Sequence, residues 1–589
     1  MGDTTSDFEF PLIDPYDQGL HGVNQPANIA FVQILWASLG LLTAIVVSIH
    51  LTLRWLRSRR KAALADAPKE SNQDVWSRPI FPWVPNMKQR FFYAPMFRLR
   101  RARRLPLFGT LPTRSHAVFL VFFAASNIAY MFAVNFGNQN IYALLAEIRG
   151  RTGTLAVANM VPLVLLIGHN NPLTSLMHLK YDSCIMLHRW IGRIIIFEAL
   201  LHGIAWAVVH VADRDWASVW KEICCHGFIT AGFVGWAGLA VMLVSTLNPV
   251  RSAYYEAFVI IHIITACAIV AATIVHCKLS EFELPQMPWI IAVAILWALE
   301  RLLRTIRLVR HTFTRQGRAV AIIEAISGSS DVCRITMHLP RRVDIHPGSH
   351  AYIRLVAVRF WETHPFSIAW VKHQLSPIVR ESLDGSEGMK MTTSLSFVVG
   401  AHQGFTRDLF SRVSASGGRL KTTATFEGPY DGCTSLDSYG HVVLVAGATG
   451  ITHLLGYVRR LVLGHASRTT AAKRIVLVWI VRHSDALEWI QPWLTEIMEL
   501  SSSSGLLTVK AFVTQERPQH SSAPVVVSST TKNVVSCLYE RPDVSEILQA
   551  EVGAQIGAMF VMVCGSGSLS DSVRAAVRQC QSSGNEDRL

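Results

Sequence analysis

SCIMLHRWIGRIIIFEALLHGIAWAVVHV, residues 183–211, is long and apolar enough to cross a bilayer as one helix. It carries His188 and His202, 14 residues apart. At about 100° per residue, that spacing falls about 40° short of four turns, so both imidazoles share one face, about 21 Å apart along the axis. The run AYYEAFVIIHIITACAIVAATIVHC at 253–277 repeats the arrangement with His262 and His276, again 14 residues apart. Ionisable side chains inside a span are functional candidates by default. Two helices of the same orientation can face these pairs toward each other, His188 with His262 and His202 with His276. Neutral imidazole is a good axial ligand for haem iron. The pattern therefore predicts two b-type haem sites stacked across the membrane, the first pair near the cytosol and the second near the outside. Such ligation leaves no open iron position, which suits electron transfer better than oxygen binding. Packing or a proton relay is the alternative use of these histidines. His169, His178, His210 and His226 read as surface or capping groups. Glu198, one turn before His202, reads as a tuning or relay group, or as a partner for a neighbouring span.

Further apolar runs lie near 28–53, 116–136, 153–169, 228–247 and 287–308, which brings the predicted spans to seven. The run 153–169 is short and holds Pro162, so it also fits a re-entrant segment. Flanking charge predicts the orientation. Arg54, Arg57, Arg59, Arg60 and Lys61 follow the first run, and Arg98, Arg100, Arg101, Arg103 and Arg104 precede the second, so the connection between them is expected in the cytosol. The tail 1–27, with Asp3, Asp7, Glu9, Asp14 and Asp17 and no basic residue, is then outside and does not read as a secretory signal. Seven crossings leave the C-terminal half cytosolic, in agreement with Arg301, Arg304, Arg307, Arg310, Arg315 and Arg318. The net charge of +14 is concentrated at such flanks, and no nucleic-acid recognition motif accompanies it, so no nucleic-acid partner is expected. Half of the 589 residues are hydrophobic and 16% are charged, which indicates a membrane part joined to a soluble part. Ten cysteines without CxxC or zinc-like spacing predict no disulfide framework. Cys224, Cys225 and Cys277 fall on the outer side, where free thiols or oxidation both fit.

From about residue 316 the pattern changes. Short strand-like runs, Ala319–Ile326, Val332–Leu339 and Ala351–Val356, alternate with Gly, Pro and Ser signals as in a small β-barrel. From His441 onward, strand-like and helix-like runs alternate: 441–446 then 451–463, 474–481 then 485–500, and 558–563 then 569–579, as in a parallel α/β sheet. The Ser-rich stretches at 501–504 and 520–530 read as loops. Gly447-Ala448-Thr449-Gly450-Ile451-Thr452 opens a helix directly after an apolar strand, which makes an anion site at a helix N-terminus; a purely structural turn is the alternative.

The two histidine pairs, the segment His188-Arg189-Trp190-Ile191-Gly192-Arg193 and the motifs of the soluble half together resemble the fungal ferric reductases, in the superfamily of the NADPH oxidases. The resemblance covers about 116–580. It implies that His364, Pro365, Phe366 and Ser367 lie against the isoalloxazine and ribityl parts of FAD, and that Gly404, Phe405 and Thr406 approach its pyrophosphate. Gly447, Thr449, Gly450 and Thr452 would belong to the NADPH loop, and Arg482 would meet the 2′-phosphate. Cys564 and Gly565 would sit beside the nicotinamide, with Cys564 aiding hydride transfer. Ser349 stands where the family has Gln, and Ser566 where it has Pro.

The expected architecture is multidomain: an α-helical transmembrane bundle with haem sites, followed by a ferredoxin-reductase-like module. The expected divisions are an outer tail at 1–27, a first helix and basic linker at 28–115, the haem-binding membrane domain at 116–310, an FAD-binding β-barrel at 316–435 and an NADPH-binding α/β domain at 436–589. The resemblance implies a metalloreductase carrying electrons from cytosolic NADPH through FAD and two haems to ferric chelates or siderophores, or to Cu(II). Lipid would surround the spans, in the plasma membrane or alternatively the vacuolar membrane, with a functional link to an iron permease or ferroxidase. The rival readings are a superoxide-producing NADPH oxidase and, in a different class, a non-catalytic haem-binding protein or permease.

Overall fold

The computed structural model describes residues 19–65, 83–96, 112–171, 179–314, 317–326, 331–377, 389–432, 434–501, 504–516 and 534–583, with isolated positions between them. Asp3, Asp7, Glu9, Asp14, Asp17, Arg98, Arg100, Arg101, Arg103, His178, Arg315 and most of the two Ser-rich stretches lie outside the described residues.

The chain divides into two compact units. The first comprises Met1–Leu51 and Pro95–Leu302 and is helical. Six described helices are long and apolar enough to cross a membrane: Gln25–Ala63, Arg114–Phe132, Ile141–Ile167, Tyr181–Asp213, Gly227–Ser245 and Tyr255–Lys278. They are apolar nearly all round, as lipid-facing helices are. Their small shared core includes Leu35, Phe123, Leu155, Ile195, Leu239 and Ile269.

Two expectations change. The third span is not a short or re-entrant piece but a continuous 27-residue helix, Ile141–Ile167, with Pro162 inside it. Its first turns, before the apolar run, carry Glu147, Arg149 and Arg151. Arg151 is in fact fully buried, donating to Asn28 Oδ1 at 2.6 Å and pairing with Glu147 at 3.2 Å. The seventh run forms the 26-residue helix Met287–Thr312, which is long enough to span but is not among the six, because Glu300, Arg301 and Arg304 interrupt its apolar run. Its apolar part, 287–299, covers only about 20 Å at 1.5 Å per residue, short of a hydrocarbon core of about 30 Å. Ile290 and Val293 nevertheless bury completely in the helix core.

The second unit comprises Thr52–Ala94 and Leu303–Leu589. Its seven-stranded antiparallel sheet runs His364–Ser367, His350–Leu355, Arg419–Tyr430, Val320–Ala325, Val332–Leu339, Met389–Gly400, Trp370–Pro377. Alternation of buried and half-buried residues, as in Val332–Leu339, directs one face to a core of Ile323, Ile335, Ile353, Phe397 and Phe426. The other sheet runs Val525–Val526, Val534–Leu538, Leu507–Val513, Arg474–Val481, His441–Gly447, Met559–Cys564, parallel except for its first edge strand. Helices cover both faces, which is why its central strands are continuously apolar.

Beneath that sheet Glu551, 3% exposed, lies within 3.3 Å of His441 Nε2, accepts from Arg474 Nε at 2.8 Å and pairs with Lys510 at 3.3 Å. Burial alone would raise this carboxyl, but the His441, Arg474 and Lys510 contacts outweigh it and hold Glu551 below the usual carboxylate range. A depressed folded-state pKa stabilises above the ordinary value of 4.5, and that stability is lost as pH falls. Glu551→Gln is expected to cost about 2–3 kcal/mol, less than a fully buried pair because Arg474 and Lys510 stay part-exposed. Thermal melts from pH 7 down to about 3 should show a steep acid decline in the wild type and a flatter one in the variant.

Candidate functional site

The four histidines of the two spans meet in two layers. His188 and His262 have ring centroids 6.3 Å apart, and His202 and His276 6.4 Å apart. With metal–imidazole bonds of about 2 Å, such a separation would leave room for one metal ion held between the two rings of each pair. Three rings are oriented from behind. Nδ1 of His188 donates to the Leu163 carbonyl at 3.2 Å, that of His202 to Arg149 at 2.8 Å, and that of His276 to Phe228 at 2.8 Å. A carbonyl only accepts, so Nδ1 holds the proton and Nε2 keeps its lone pair for a ligand. His262 Nδ1 is buried without a hydrogen-bond partner among the described residues. Glycines make the second layer possible: a methyl at Gly153 would stand 2.6 Å from His202 Nδ1, and one at Gly232 2.9 Å from His276 Nδ1.

Among the described residues, no three His, Cys, Asp or Glu side chains converge on one point. Each histidine pair supplies two ligands only, which suits an iron whose remaining positions a porphyrin fills. Glu198, fully buried, accepts from Asn159 Nδ2 at 3.0 and 3.1 Å, and Asn159 donates to Asn127 Oδ1 at 2.8 Å. Of the two uses foreseen for Glu198, the partner on a neighbouring span is therefore present. Cys224 and Cys225 are exposed and Cys277 is buried, all three as free thiols.

In the antiparallel sheet, strand His364–Ser367 lies at one edge. His364 stacks on Phe405, centroids 4.2 Å apart, so 364–367 and 404–406 come together. Gly404 takes φ +67° at the start of helix Phe405–Ala415, a conformation that favours glycine, and leaves the helix N-terminus open to an anion. Thr406 Oγ1 accepts from the His402 amide at 2.9 Å, which leaves its own proton free to donate. Residues that the sequence did not single out organise this edge. Glu362 accepts from His364 Nε2 at 3.0 Å and from Arg359 at 2.6 Å, and Arg359 grips Asp408 at 2.6 and 3.0 Å. Burial would raise the Glu362 carboxyl, but the bonds from Arg359 and His364 hold it below the ordinary range. Only folding brings Asp408 to these positions, so no local signal marked them. Ser349, 1% exposed, donates to the Asp431 carbonyl at 3.4 Å.

In the parallel sheet, Gly447–Gly450, Arg482 and Cys564–Gly565 all sit at the C-terminal ends of neighbouring strands, where ligands bind in open α/β sheets. Trp479 Nε1 donates to the Ala448 carbonyl at 3.0 Å and holds the loop. A methyl at Gly450 would overlap the Cys564 carbonyl, and one at Gly565 would stand 3.0 Å from the Gly447 amide, so loop and turn touch backbone to backbone. Gly400, which ends a barrel strand, lies against Thr449, so the barrel reaches this loop. Thr452 is buried, and its hydroxyl donates back to the Thr449 carbonyl at 2.9 Å. Burial pushes the Cys564 thiol up, so at neutral pH it is a neutral thiol and not a nucleophilic thiolate. Ser566 Oγ accepts from the Leu569 amide at 3.3 Å and helps start the last helix. Arg482 is exposed.

Three family models match the chain in order: ferric reductase like transmembrane component at 152–273, FAD-binding domain at 316–434, and ferric reductase NAD binding domain at 439–578. Among curated proteins, it is 25% identical to ferric reductase transmembrane component 3 of Saccharomyces cerevisiae over 79% of this chain and 64% of that one. It is 24% identical to ferric/cupric reductase transmembrane component 2 of the same yeast, over 79% and 64%. With ferric/cupric reductase transmembrane component 1 of Candida albicans it shares 24% identity over 84% and 65%. The chain thus spans just under two thirds of the length of these relatives. With the membrane, flavin and nucleotide parts matched in this order, the chain carries the domain set of the ferric reductases and is similar to the fungal ones.

Proposed function

We propose that the protein is a transmembrane ferric-chelate reductase that takes electrons from NADPH on the side of its soluble unit and delivers them to ferric iron, in chelates or siderophores, on the other side. The two-layer pairing of the four histidines carries this reading, because with haem bound it would give two one-electron stations in series across the bilayer. The donor set fits b-type haem: two neutral imidazoles per layer, three of them with Nδ1 committed to a carbonyl. Bound FAD would supply the conversion of a two-electron hydride into single electrons, and bound haem the one-electron relay.

The chain's own residues do the rest. Phe366 and the 364–367 strand would flank the flavin ring, and Gly404, Phe405 and Thr406 would present the helix N-terminus to the pyrophosphate. Gly447, Thr449 and Gly450 would seat the nucleotide phosphates, with Cys564 and Gly565 beside the nicotinamide. Cys564, kept neutral, would limit where the nicotinamide ring lies. Arg482 would bind the 2′-phosphate, since guanidinium matches phosphate geometry. Arg482→Gln is expected to raise the KM for NADPH about 10- to 100-fold and leave that for NADH unchanged, the loss of one charge-assisted contact. Steady-state kinetics with both nucleotides checks this.

Parity supports the proposed orientation. Thr52–Ala94 and Leu303–Leu589 fold as one unit, so they occupy one side of the membrane. Five crossings between them would put them on opposite sides, so Met287–Thr312 must make the sixth, with its arginines reaching the interface. Basic flanks at 54–61 and 301–310 mark that side as cytosolic. The decisive assay is NADPH-driven reduction of an impermeant ferric chelate by vesicles carrying the protein, with superoxide followed in parallel. Ferric reduction with little superoxide supports the reading; superoxide as main product overturns it in favour of an oxidase.

A further inference from the structure

The segment after the first helix precedes all three matched domains, yet it belongs to the compact unit that contains the nucleotide-binding domain. At the end of that helix, Arg60 donates to Ser438 Oγ at 2.8 Å and lies 4.6 Å over the Tyr439 ring. Lys61 pairs with Asp437 at 3.3 Å, and Arg460 holds the same carboxylate at 2.7 and 3.0 Å. Residues 436–440 lie in the connection between the strands Arg419–Tyr430 and His441–Gly447.

Farther on, Gln73 is 3% exposed and donates to the Ala471 carbonyl at 3.1 Å. Its side chain fills a space that two glycines leave: a methyl at Gly557 would stand 2.6 Å from Gln73 Oε1, and one at Gly440 would overlap that atom. Gln89 donates to the Arg578 carbonyl at 3.0 Å, where the short helices Trp83–Met87 and Lys88–Phe92 pack on the last helix, Gly567–Ser583. Gly440 and Gly557 lie just before the strands His441–Gly447 and Met559–Cys564, whose far ends carry the Gly447–Gly450 loop and the Cys564–Gly565 turn. The segment thus grips the near ends of both strands that present the nucleotide site, and the helix that leaves it.

We infer that the described residues 60–65, 73 and 83–94 are an intramolecular clamp that fixes the orientation of the nucleotide-binding domain for hydride transfer, with Arg60, Lys61 and Gln73 as positioning residues. The inference rests on the proposed transfer from NADPH to flavin. Strands transmit displacement along their length, and reacting atoms must be held within a fraction of an ångström, so freedom at the gripped ends lowers the fraction of molecules ready to react. The nucleotide contacts themselves are untouched. Binding and transfer should therefore separate.

The test uses the full chain in detergent, with flavin bleaching by NADPH followed by stopped flow without oxygen. The double variant Lys61→Ala, Gln73→Ala is expected to slow bleaching at saturating NADPH by about 5- to 10-fold, with FAD content and the dissociation constant for NADP+ unchanged. Lys61→Arg should keep nearly the wild-type rate, as should Arg59→Ala, which alters an exposed arginine. A double variant that bleaches at the wild-type rate overturns the clamp. So does one that loses rate and FAD together, which would mean that the segment serves folding alone. No bleaching in the wild type would instead fail the hydride reading, and the clamp with it.

Discussion

His202→Ala and His276→Ala are each expected to abolish reduction of an external ferric chelate, by at least about 100-fold, while NADPH-driven reduction of a soluble dye persists. Each variant removes one of the two histidines proposed to hold the same haem, whose rings stand 6.4 Å apart. Alteration of groups that merely orient a metal ligand typically costs 10- to 100-fold, and loss of the ligand itself should exceed that. The dye reaction needs only the flavin and nucleotide segments, which lie in the other compact unit. Optical spectra of the purified variants should show about half of the wild-type haem, since His188 and His262 keep their layer. Full haem with full ferric reduction in either variant would remove the two-layer relay. A milder version is Gly232→Ala, whose methyl would press on His276 Nδ1 from 2.9 Å. It should alter the haem spectrum before it empties the site.

The complementary expectation concerns the nucleotide end. Gly450→Ala places a methyl into the carbonyl of Cys564, a backbone group that cannot swing aside as a side chain tip would. The Cys564 strand is hydrogen-bonded in register to the strand that carries the loop, Ala446 opposite Cys564, so relief must come from the loop itself. Displacing it opens the backbone contact on which both nucleotide segments depend, and geometric errors of about 1 Å near a reacting centre cost roughly 100-fold. The kcat/KM with NADPH should fall by about that factor for dye and ferric chelate alike. Haem content, and reduction of the haems by dithionite, should be unaffected. A wild-type kcat/KM would show that Gly447–Gly450 is a structural turn and that the nucleotide binds elsewhere.

The histidine variants block the path at its exit and the glycine variant at its entry. Together they ask whether one chain links the two ends. The clamp formed by Arg60, Lys61, Gln73 and Gln89 adds a third point of control, at the ends of the strands remote from the chemistry.

Much of this was legible in the amino-acid order. Helical periodicity alone puts His188 with His202, and His262 with His276, on single faces, because a 14-residue spacing is nearly four turns whatever surrounds it. Apolar runs, the change to short alternating strands near residue 316 and the strand-turn-helix pattern at 441–463 define a membrane part, an antiparallel sheet and a parallel one, because each obeys a local period. Tertiary structure decided what depends on partners distant in sequence. Hydropathy cut Ile141–Ile167 short because it counts Arg151 as a charge at a helix end, whereas folding pairs that guanidinium with Glu147 and Asn28 and buries it. The Arg359–Glu362–His364 network with Asp408, the carbonyls that turn the histidines and the groove that receives Gln73 join residues up to 398 positions apart. Sequence order specifies which groups a segment carries and with what period. Which distant carbonyl, carboxylate or glycine each group meets is set only when the chain packs, because those contacts have no local repeat to betray them.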